Sequence, residues 1–364
     1  MDQLFDAPDR YEAIIRKTLD KCIPFKVDWE ITYRCNLRCA HCYQTGASGD
    51  KELTTEEICS ALDELADLAC LYLTFTGGEI LLRDDLFDIA KYARKKEFAI
   101  RLFTNGTLID EKIADKIKNL SPLSVEISLY GMDPSVHESI TKIPGSYEKT
   151  INALGLLRER NINTVVKCTF MKSNVSEFNK LKDFAGNIGA RFVFSLSVIP
   201  RIDGSKDVLK NRLNQEQLQE LFRSRDWLTE GITEGGIRSY EPLCSAGTNS
   251  LYISPYGEVS PCVVMREHCG NLRESPLKEI WESPFFKKVR RIELENLKEC
   301  RRCDSAGYCD RCSGLALLET GDLLGPSPNE CDLARVRKWA AEKKETHHES
   351  KEETKTLQEA KNSL

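Results

Sequence analysis

The sequence predicts an α/β protein: an open, partial (β/α)6 barrel of TIM-like form, followed by a cysteine-rich segment folded around metal. Three observations predict it. From about Phe25 to Val198, short β-rich runs alternate with amphipathic helical stretches, the pattern of a parallel sheet. The alternation gives six strand–helix units, too few for the usual eight-stranded barrel. Ten of the fifteen cysteines fall in two spaced groups, one near each end of the chain.

The units follow in order. Val27–Thr32 reads as the first strand and is followed by a cysteine loop. A helix runs from Thr54 to Ala69, with Thr54 and Glu57 in capping-box spacing and Ile58, Ala61, Leu62, Leu65 and Ala69 on one face. Leu71–Thr76 is the second strand, Asp84–Lys96 a helix, Phe98–Thr104 the third strand and Asp110–Asn119 a helix. Ser124–Leu129 is the fourth strand, Tyr147–Arg160 a helix, Thr164–Phe170 the fifth strand, Val175–Asn187 a helix and Arg191–Val198 the sixth strand. Such folds keep their chemistry at the C-terminal ends of the strands.

This divides the 364 residues into an N-terminal extension (1–24), the barrel (25–212), a helical bridge and linker (213–243), the cysteine-rich segment (244–336) and a charged tail (337–364). The bridge includes a helix over Asn214–Trp227 and the glycines Gly231, Gly235 and Gly236. The tail, dense in Lys and Glu, is read as solvated and given no function.

Composition excludes several classes. A net charge of −5 argues against a general nucleic-acid binder, which would carry a basic face. The start Met1-Asp2-Gln3-Leu4-Phe5-Asp6 has no basic n-region or apolar run, so it is no signal peptide. No apolar stretch approaches the roughly 18–20 residues that span a bilayer. The expectation is a cytoplasmic protein without membrane or nucleic-acid partners. Thiols clustered in a reducing compartment more often hold metals than form disulfides. Cys22, Cys59, Cys70 and Cys168 lie singly and read as small buried hydrophobes.

Directly after the first strand stands Cys35-Asn36-Leu37-Arg38-Cys39-Ala40-His41-Cys42-Tyr43. A [4Fe–4S] cluster is ordinarily held by four thiolates. Three on one tight loop leave one iron open to a small chelating molecule, as an open position on catalytic zinc does. The competing reading is a zinc site that borrows His41 or a distant cysteine. The loop's place at a strand's C-terminal end weighs against it.

Cys-x3-Cys-x2-Cys followed by an aromatic residue resembles the signature of the radical S-adenosylmethionine (SAM) superfamily. The resemblance implies that Cys35, Cys39 and Cys42 ligate a [4Fe–4S] cluster whose open iron binds the amino and carboxylate groups of SAM. One-electron reduction then yields methionine and a 5′-deoxyadenosyl radical, and Tyr43 lies near the adenine. Thr76-Gly77-Gly78-Glu79, one unit later, is similar to the family motif that binds the methionine amino group; Ile80 stands where relatives commonly have proline. Thr104-Asn105-Gly106 and Glu126-Ile127-Ser128-Leu129 close the third and fourth strands. By resemblance, Asn105 and Ser128 approach the SAM ribose and carboxylate. Lys142 is a further candidate for the SAM carboxylate, against an ordinary exposed lysine.

The second group is Cys244, Gly257, Cys262, then Cys300-x2-Cys303-x5-Cys309-x2-Cys312, and Cys331. Seven thiols exceed one tetrahedral zinc, so two metal centres are the economical reading, with two zinc ribbons as the alternative to iron–sulfur. Together with Ile253-Ser254-Pro255-Tyr256-Gly257-Glu258-Val259-Ser260-Pro261-Cys262 and Gly270-Asn271-Leu272, the spacing resembles the SPASM extension of radical SAM enzymes, a domain carrying auxiliary [4Fe–4S] clusters. The usual last pair has three intervening residues; Cys309 and Cys312 have two. The resemblance implies Cys244, Cys262 and Cys312 around the nearer cluster, with Cys269 or an open position as the fourth site. Cys300, Cys303, Cys309 and Cys331 would hold the farther one.

On that resemblance the expected activity is oxidoreductase-like maturation of a ribosomally made precursor peptide, giving a thioether, a carbon–carbon or carbon–oxygen crosslink, or an epimerised residue. A flavodoxin- or ferredoxin-type protein would be the reductant. The residues before the barrel are too few for a fused peptide-recognition domain, so leader recognition would need a separate protein. Tetrapyrrole modification of the radical decarboxylase type is the alternative, and a zinc-binding or electron-carrier protein the non-enzymatic one. Sulfatase maturation is disfavoured for want of a candidate catalytic aspartate.

Overall fold

The computed structural model describes residues 7–46, 51–223 and 242–343. Trp227, the linker glycines Gly231, Gly235 and Gly236, and the tail beyond residue 343 lie outside the described residues.

Within the first compact unit, residues 1–212 and 244–292, the elements are α1 (Ala7–Asp20), β1 (Lys26–Thr32), α2 (Thr55–Asp67), β2 (Tyr72–Gly77), α3 (Leu86–Lys95), β3 (Ala99–Thr104), α4 (Glu111–Leu120) and β4 (Ser124–Ser128). They continue as α5 (Pro134–Thr141), α6 (Ser146–Glu159), β5 (Thr164–Thr169), α7 (Phe178–Asn187) and β6 (Arg191–Ser195). The expected capping box is present: Thr54 Oγ1 accepts from Glu57 N at 3.2 Å, and Thr54 N donates to Glu57 Oε2 at 2.8 Å.

The six strands are all parallel, in the order β6-β5-β4-β3-β2-β1, as a partial (β/α)6 barrel requires. The sheet does not stop at β1. After α8 (Gln215–Arg223), the strand β7 (Ser250–Ile253) pairs parallel with β1, Lys26 opposite Ser250 and Trp29 opposite Ile253. A hairpin then adds the antiparallel β8 (Val259–Ser260). The cysteine-rich segment thus supplies part of the barrel's own sheet.

Strand alternation divides polar from apolar. Val27, Trp29, Ile31, Leu73, Phe75, Ile100, Leu102, Val125 and Ile127 are essentially buried against the helices. The intervening positions form the other face, on which Asp28 is opposite Thr74, Thr74 opposite Arg101, Phe103 opposite Glu126 and Ser128 opposite Lys167. A closed eight-stranded barrel fills its centre with branched aliphatic residues. Here charged and hydroxyl side chains occupy that face and leave room for a ligand. The outer face of β6 is covered by aromatic packing of Phe178 on Phe170 and Phe194, with ring centroids 4.8 and 5.1 Å apart.

Two short helices, α9 (Leu277–Trp281) and α10 (Pro284–Arg290), complete the first unit. The second unit, residues 213–243 and 293–364, contains α8, α11 (Ser313–Thr320) and a helix α12 over residues 328–343. Its loops are stapled by polar contacts: buried Arg311 donates to the carbonyls of Leu323 and Gly325, each at 2.8 Å. Among the described residues no helix is long and apolar enough to cross a membrane.

Candidate active site at the strand C-termini

A cavity of about 1240 Å³ opens at the C-terminal ends of the strands. Cys35, Cys39 and Cys42 line it, together with Tyr43, Gly77, Gly78, Asn105 and Ser128. The three thiols are close enough that Cys35 and Cys42 both oppose ionisation of Cys39. Burial is the larger cause and pushes that thiol up to about 12; it also raises Cys35 and Cys42. Metal binding at the trio would therefore release protons. Among the described residues, no three His, Cys, Asp or Glu side chains are gathered around one ion-sized point.

The cysteine loop is held on both sides. Gly78 N donates to Thr32 O and Glu79 N to Arg34 O, both at 2.8 Å. A Cβ at Gly77, where φ is +130°, would lie 2.2 Å from the Thr32 oxygen. The two glycines thus let β2 close against the start of the cysteine loop, beyond any role toward a ligand. Asn105 Nδ2 donates to Asn36 Oδ1, and Asn36 Nδ2 to Thr107 Oγ1, both at 2.8 Å. On the other side, Arg38 N and Ala40 N donate to the carbonyls of Thr141 and Ile140 at the end of α5.

Glu79 is fully buried and accepts from Thr104 Oγ1 at 2.6 Å, Asn105 N at 2.8 Å and Leu81 N at 3.1 Å. Among the described residues no cation forms an ion pair with it, and burial raises its pKa above the usual carboxylate value. A buried carboxylate with its donors fixed and no counter-charge, next in sequence to the cavity-lining Gly77 and Gly78, suits a cationic ligand group. The residues present fit SAM on this ground, its ammonium being that group. Lys142, by contrast, is exposed at the end of α5 and is not among the cavity's lining residues.

The radical SAM superfamily model matches residues 29–185, and the iron–sulfur cluster-binding SPASM model residues 244–304. Over 335 residues the chain is 30% identical to the AdoMet-dependent heme synthase of Methanosarcina barkeri, an alignment covering 84% of this chain and 95% of that protein. The chain belongs to the radical SAM superfamily, in its SPASM-bearing branch. The subtilosin biosynthesis protein AlbA of Bacillus subtilis is 28% identical over 330 residues, covering 87% of this chain and 71% of AlbA. In fold the chain is similar to Streptococcus suis SuiB bound to the precursor peptide SuiA, with a TM-score of 0.67 at 16% identity over 91% of this chain and 82% of that one.

This radical SAM enzyme therefore has SAM and [4Fe–4S] clusters, one at the SAM site and one or two auxiliary, as cofactors. In its second unit, Cys300 and Cys331 each raise the pKa of Cys309, behind the larger effect of burial. Cys300 and Cys303 do the same at Cys331. Charge effects thus link the four thiols through Cys309 and Cys331, without gathering three of them around one ion-sized point. Cys244 and Cys262 belong to the first unit and Cys312 to the second. Cys312 Sγ accepts from Leu315 N at 3.4 Å, capping α11. Cys269 Sγ donates to the Glu267 carbonyl at 3.3 Å, and burial pushes its thiol up to about 11.

Several cavity residues escaped the sequence reading. Asp28, on β1, is the one carboxyl among the described lining residues, and burial raises its pKa. Lys167, on β5, forms an ion pair with Glu126 at 3.1 Å and lies 3.6 Å from the centroid of the Phe103 ring. Tyr130 packs edge-on to His41 at 4.9 Å and hydrogen-bonds with Cys39. His41, which the sequence reading weighed only as a zinc ligand, keeps a buried Nδ1 with no partner among the described residues, and burial pulls its pKa down to about 4. The available signal was polar residues at every second position of strands that a parallel sheet normally makes apolar on both faces.

Proposed function

We propose that this enzyme uses SAM to modify a ribosomally synthesised peptide, forming a thioether, a carbon–carbon or carbon–oxygen crosslink, or an epimerised centre. The observation that carries it is the gathering of three thiols on one large cavity whose lining residues Gly77 and Gly78 directly precede the uncompensated buried carboxylate of Glu79, in a chain that also has a SPASM cysteine set. Bound there, the cluster and SAM supply a 5′-deoxyadenosyl radical that abstracts a hydrogen atom from the substrate. Cys35, Cys39 and Cys42 hold the cluster and leave one iron open. Glu79 takes the ammonium of SAM, and Gly77 and Gly78 form the backbone wall beside it. Asn105 and Ser128 border the ribose and carboxylate, Tyr43 closes the adenine side, and Lys142 is the outlying carboxylate candidate.

Auxiliary ligation is assigned to Cys244, Cys262 and Cys312 for one cluster, with Cys269 the candidate for its fourth ligand, and to Cys300, Cys303, Cys309 and Cys331 for the other. A separate leader-recognition protein and a flavodoxin- or ferredoxin-type reductant complete the reading. Its test is coexpression with a short peptide encoded beside the gene, followed by mass analysis. Loss of a pair of hydrogens indicates a crosslink, and unchanged mass with deuterium uptake from solvent indicates epimerisation. An unaltered peptide rejects this reading.

A second reading, radical modification of a tetrapyrrole side chain, is favoured by two observations. The relative at 30% identity is a heme synthase, and among the described residues the cavity wall carries Arg34, Arg38, Lys167 and Arg201 against the acid Asp28. Such a wall suits propionate carboxylates. Incubating the reduced enzyme with an iron porphyrin bearing propionate side chains and SAM separates the readings: loss of carboxyl groups as carbon dioxide supports the second.

A further inference from the structure

Glu30 lies on β1, two residues beyond Asp28, and is fully buried. Its carboxylate accepts four hydrogen bonds from four different side chains. Tyr43 Oη, at 2.5 Å, and Gln44 Nε2 donate to Oε1. Tyr252 Oη and Arg266 Nη2, the latter at 3.1 Å, donate to Oε2. That fills the acceptor capacity of a carboxylate. Arg266 uses all three of its nitrogens: besides Nη2, Nη1 donates to Tyr33 Oη at 2.8 Å and Nε to the carbonyl of Val263 at 2.7 Å. Its guanidinium also lies within 6 Å of the rings of Tyr33, Tyr43 and Tyr252. Burial raises all three phenols, so they remain donors, and although burial opposes its charge, Glu30 keeps Arg266 cationic.

The residues at the two ends of this pair matter. Tyr43 and Gln44 directly follow Cys42, and Val263 directly follows Cys262. One carboxylate and one guanidinium therefore connect the two cysteine loops within the first unit, through the route Cys42–Tyr43···Glu30···Arg266···Val263–Cys262. Tyr43 and Val263 both line the cavity. Displacement of the Cys262 loop would take Arg266 away and leave the fully buried Glu30 carboxylate without its cation, and displacement of the Cys42 loop would remove two of that carboxylate's four donors. Such an arrangement favours two discrete states over gradual deformation.

We propose that the Glu30–Arg266 pair couples the Cys262 loop to the SAM pocket, so that thiolate ligation at Cys262 sets the affinity for SAM at the Cys42 end. Arg266 and Glu30 are positioning residues here, acting through Tyr43 and Gln44. The inference rests on the radical SAM reading of Cys35, Cys39 and Cys42. Coupling between binding events is reciprocal, and typical values alter affinity about 5–150-fold.

A double-mutant cycle on the anaerobically reconstituted full chain tests it, with SAM binding measured by equilibrium dialysis. C262A and R266Q should each weaken SAM binding at least about fivefold. The double variant should bind no more weakly than either single variant, because both break the same route. R266K keeps the cation but cannot donate to Val263, Tyr33 and Glu30 together, so it should behave as R266Q. A readout that needs neither SAM nor turnover is hydrogen exchange: amides of residues 42–46 should exchange faster in C262A, R266Q and E30Q than in the unaltered protein. Multiplicative losses in the double variant, wild-type affinity in R266K, or unchanged exchange at 42–46 would each overturn the coupling. Failure of the unaltered, iron-replete enzyme to bind SAM would overturn the family reading and the coupling with it.

Discussion

A Cβ placed on Gly78 would lie 2.2 Å from the carbonyl oxygen of Arg34. The atom it would meet is backbone, in the segment leading into Cys35, so no side chain can move aside to admit it. Gly78→Ala should therefore displace the cysteine loop, cost about 1–3 kcal/mol in urea unfolding and lower iron retention at the N-terminal site. Gly155, inside α6, has open space where a Cβ would stand, with no atom within 4 Å. Gly155→Ala is the control and should be neutral or stabilising by about 0.5–1 kcal/mol.

SAM affinity should fall on acidification through protonation of Glu79. Burial raises the pKa of this carboxyl, so it gains its proton at a higher pH than an exposed glutamate does. The protonated form no longer attracts an ammonium. Glu79→Gln should bind SAM about tenfold or more weakly at neutral pH and show no such loss over the same acidic range. Binding isotherms at several pH values decide it. An acid-dependent loss that persists in the variant would assign the effect elsewhere.

His137 predicts a pH dependence of folding. It is buried on α5 with a pKa pulled down to about 4, chiefly by burial. The unfolded chain therefore binds more protons than the native one between that value and the ordinary histidine pKa of about 6.5. Stability contributed by the neutral ring is complete above that window and is lost as pH falls through it, by at most about 3 kcal/mol. Urea midpoints measured from pH 7 to pH 4.5 should flatten in His137→Gln once the change in neutral-pH stability is subtracted.

Cys309 distinguishes the clusters. Cys309→Ala should lower the iron content of the reconstituted protein by about four atoms, one cluster's worth, and leave SAM binding intact. Loss of SAM binding in this variant would show that the four second-unit thiols do not form an independent centre.

The six strand–helix units were legible because each strand is a short apolar run with a punctuated end, and because Thr54 and Glu57 announce their helix. The cysteine loop was legible through spacing. The division of roles inside β1 was not: Asp28 and Glu30 look alike in sequence, yet one lines the cavity and the other is sealed by residues from three separate parts of the chain. Long-range pairing hid β7 as well, since four residues of ordinary strand character do not reveal that β1 is their partner. Arg266 likewise carries no local pattern. Its role arises only where Tyr33, Tyr43, Tyr252 and Glu30 meet.

The strand β7 hydrogen-bonds along β1, and residues 213–243 and 293–364 belong to the other compact unit, so the backbone crosses between units at 212/213, 243/244 and 292/293. No cut at 212/213 or 243/244 can release an intact barrel, and a cut at 292/293 releases it only with residues 213–243 of the other unit attached. A fragment ending at residue 243 would bare the flank of β1 and invite edge-to-edge aggregation. Anyone wishing to express the SAM-cleaving half alone must carry Cys244–Ile292 with it, and an exchange of modules between relatives has to respect the same interleaving.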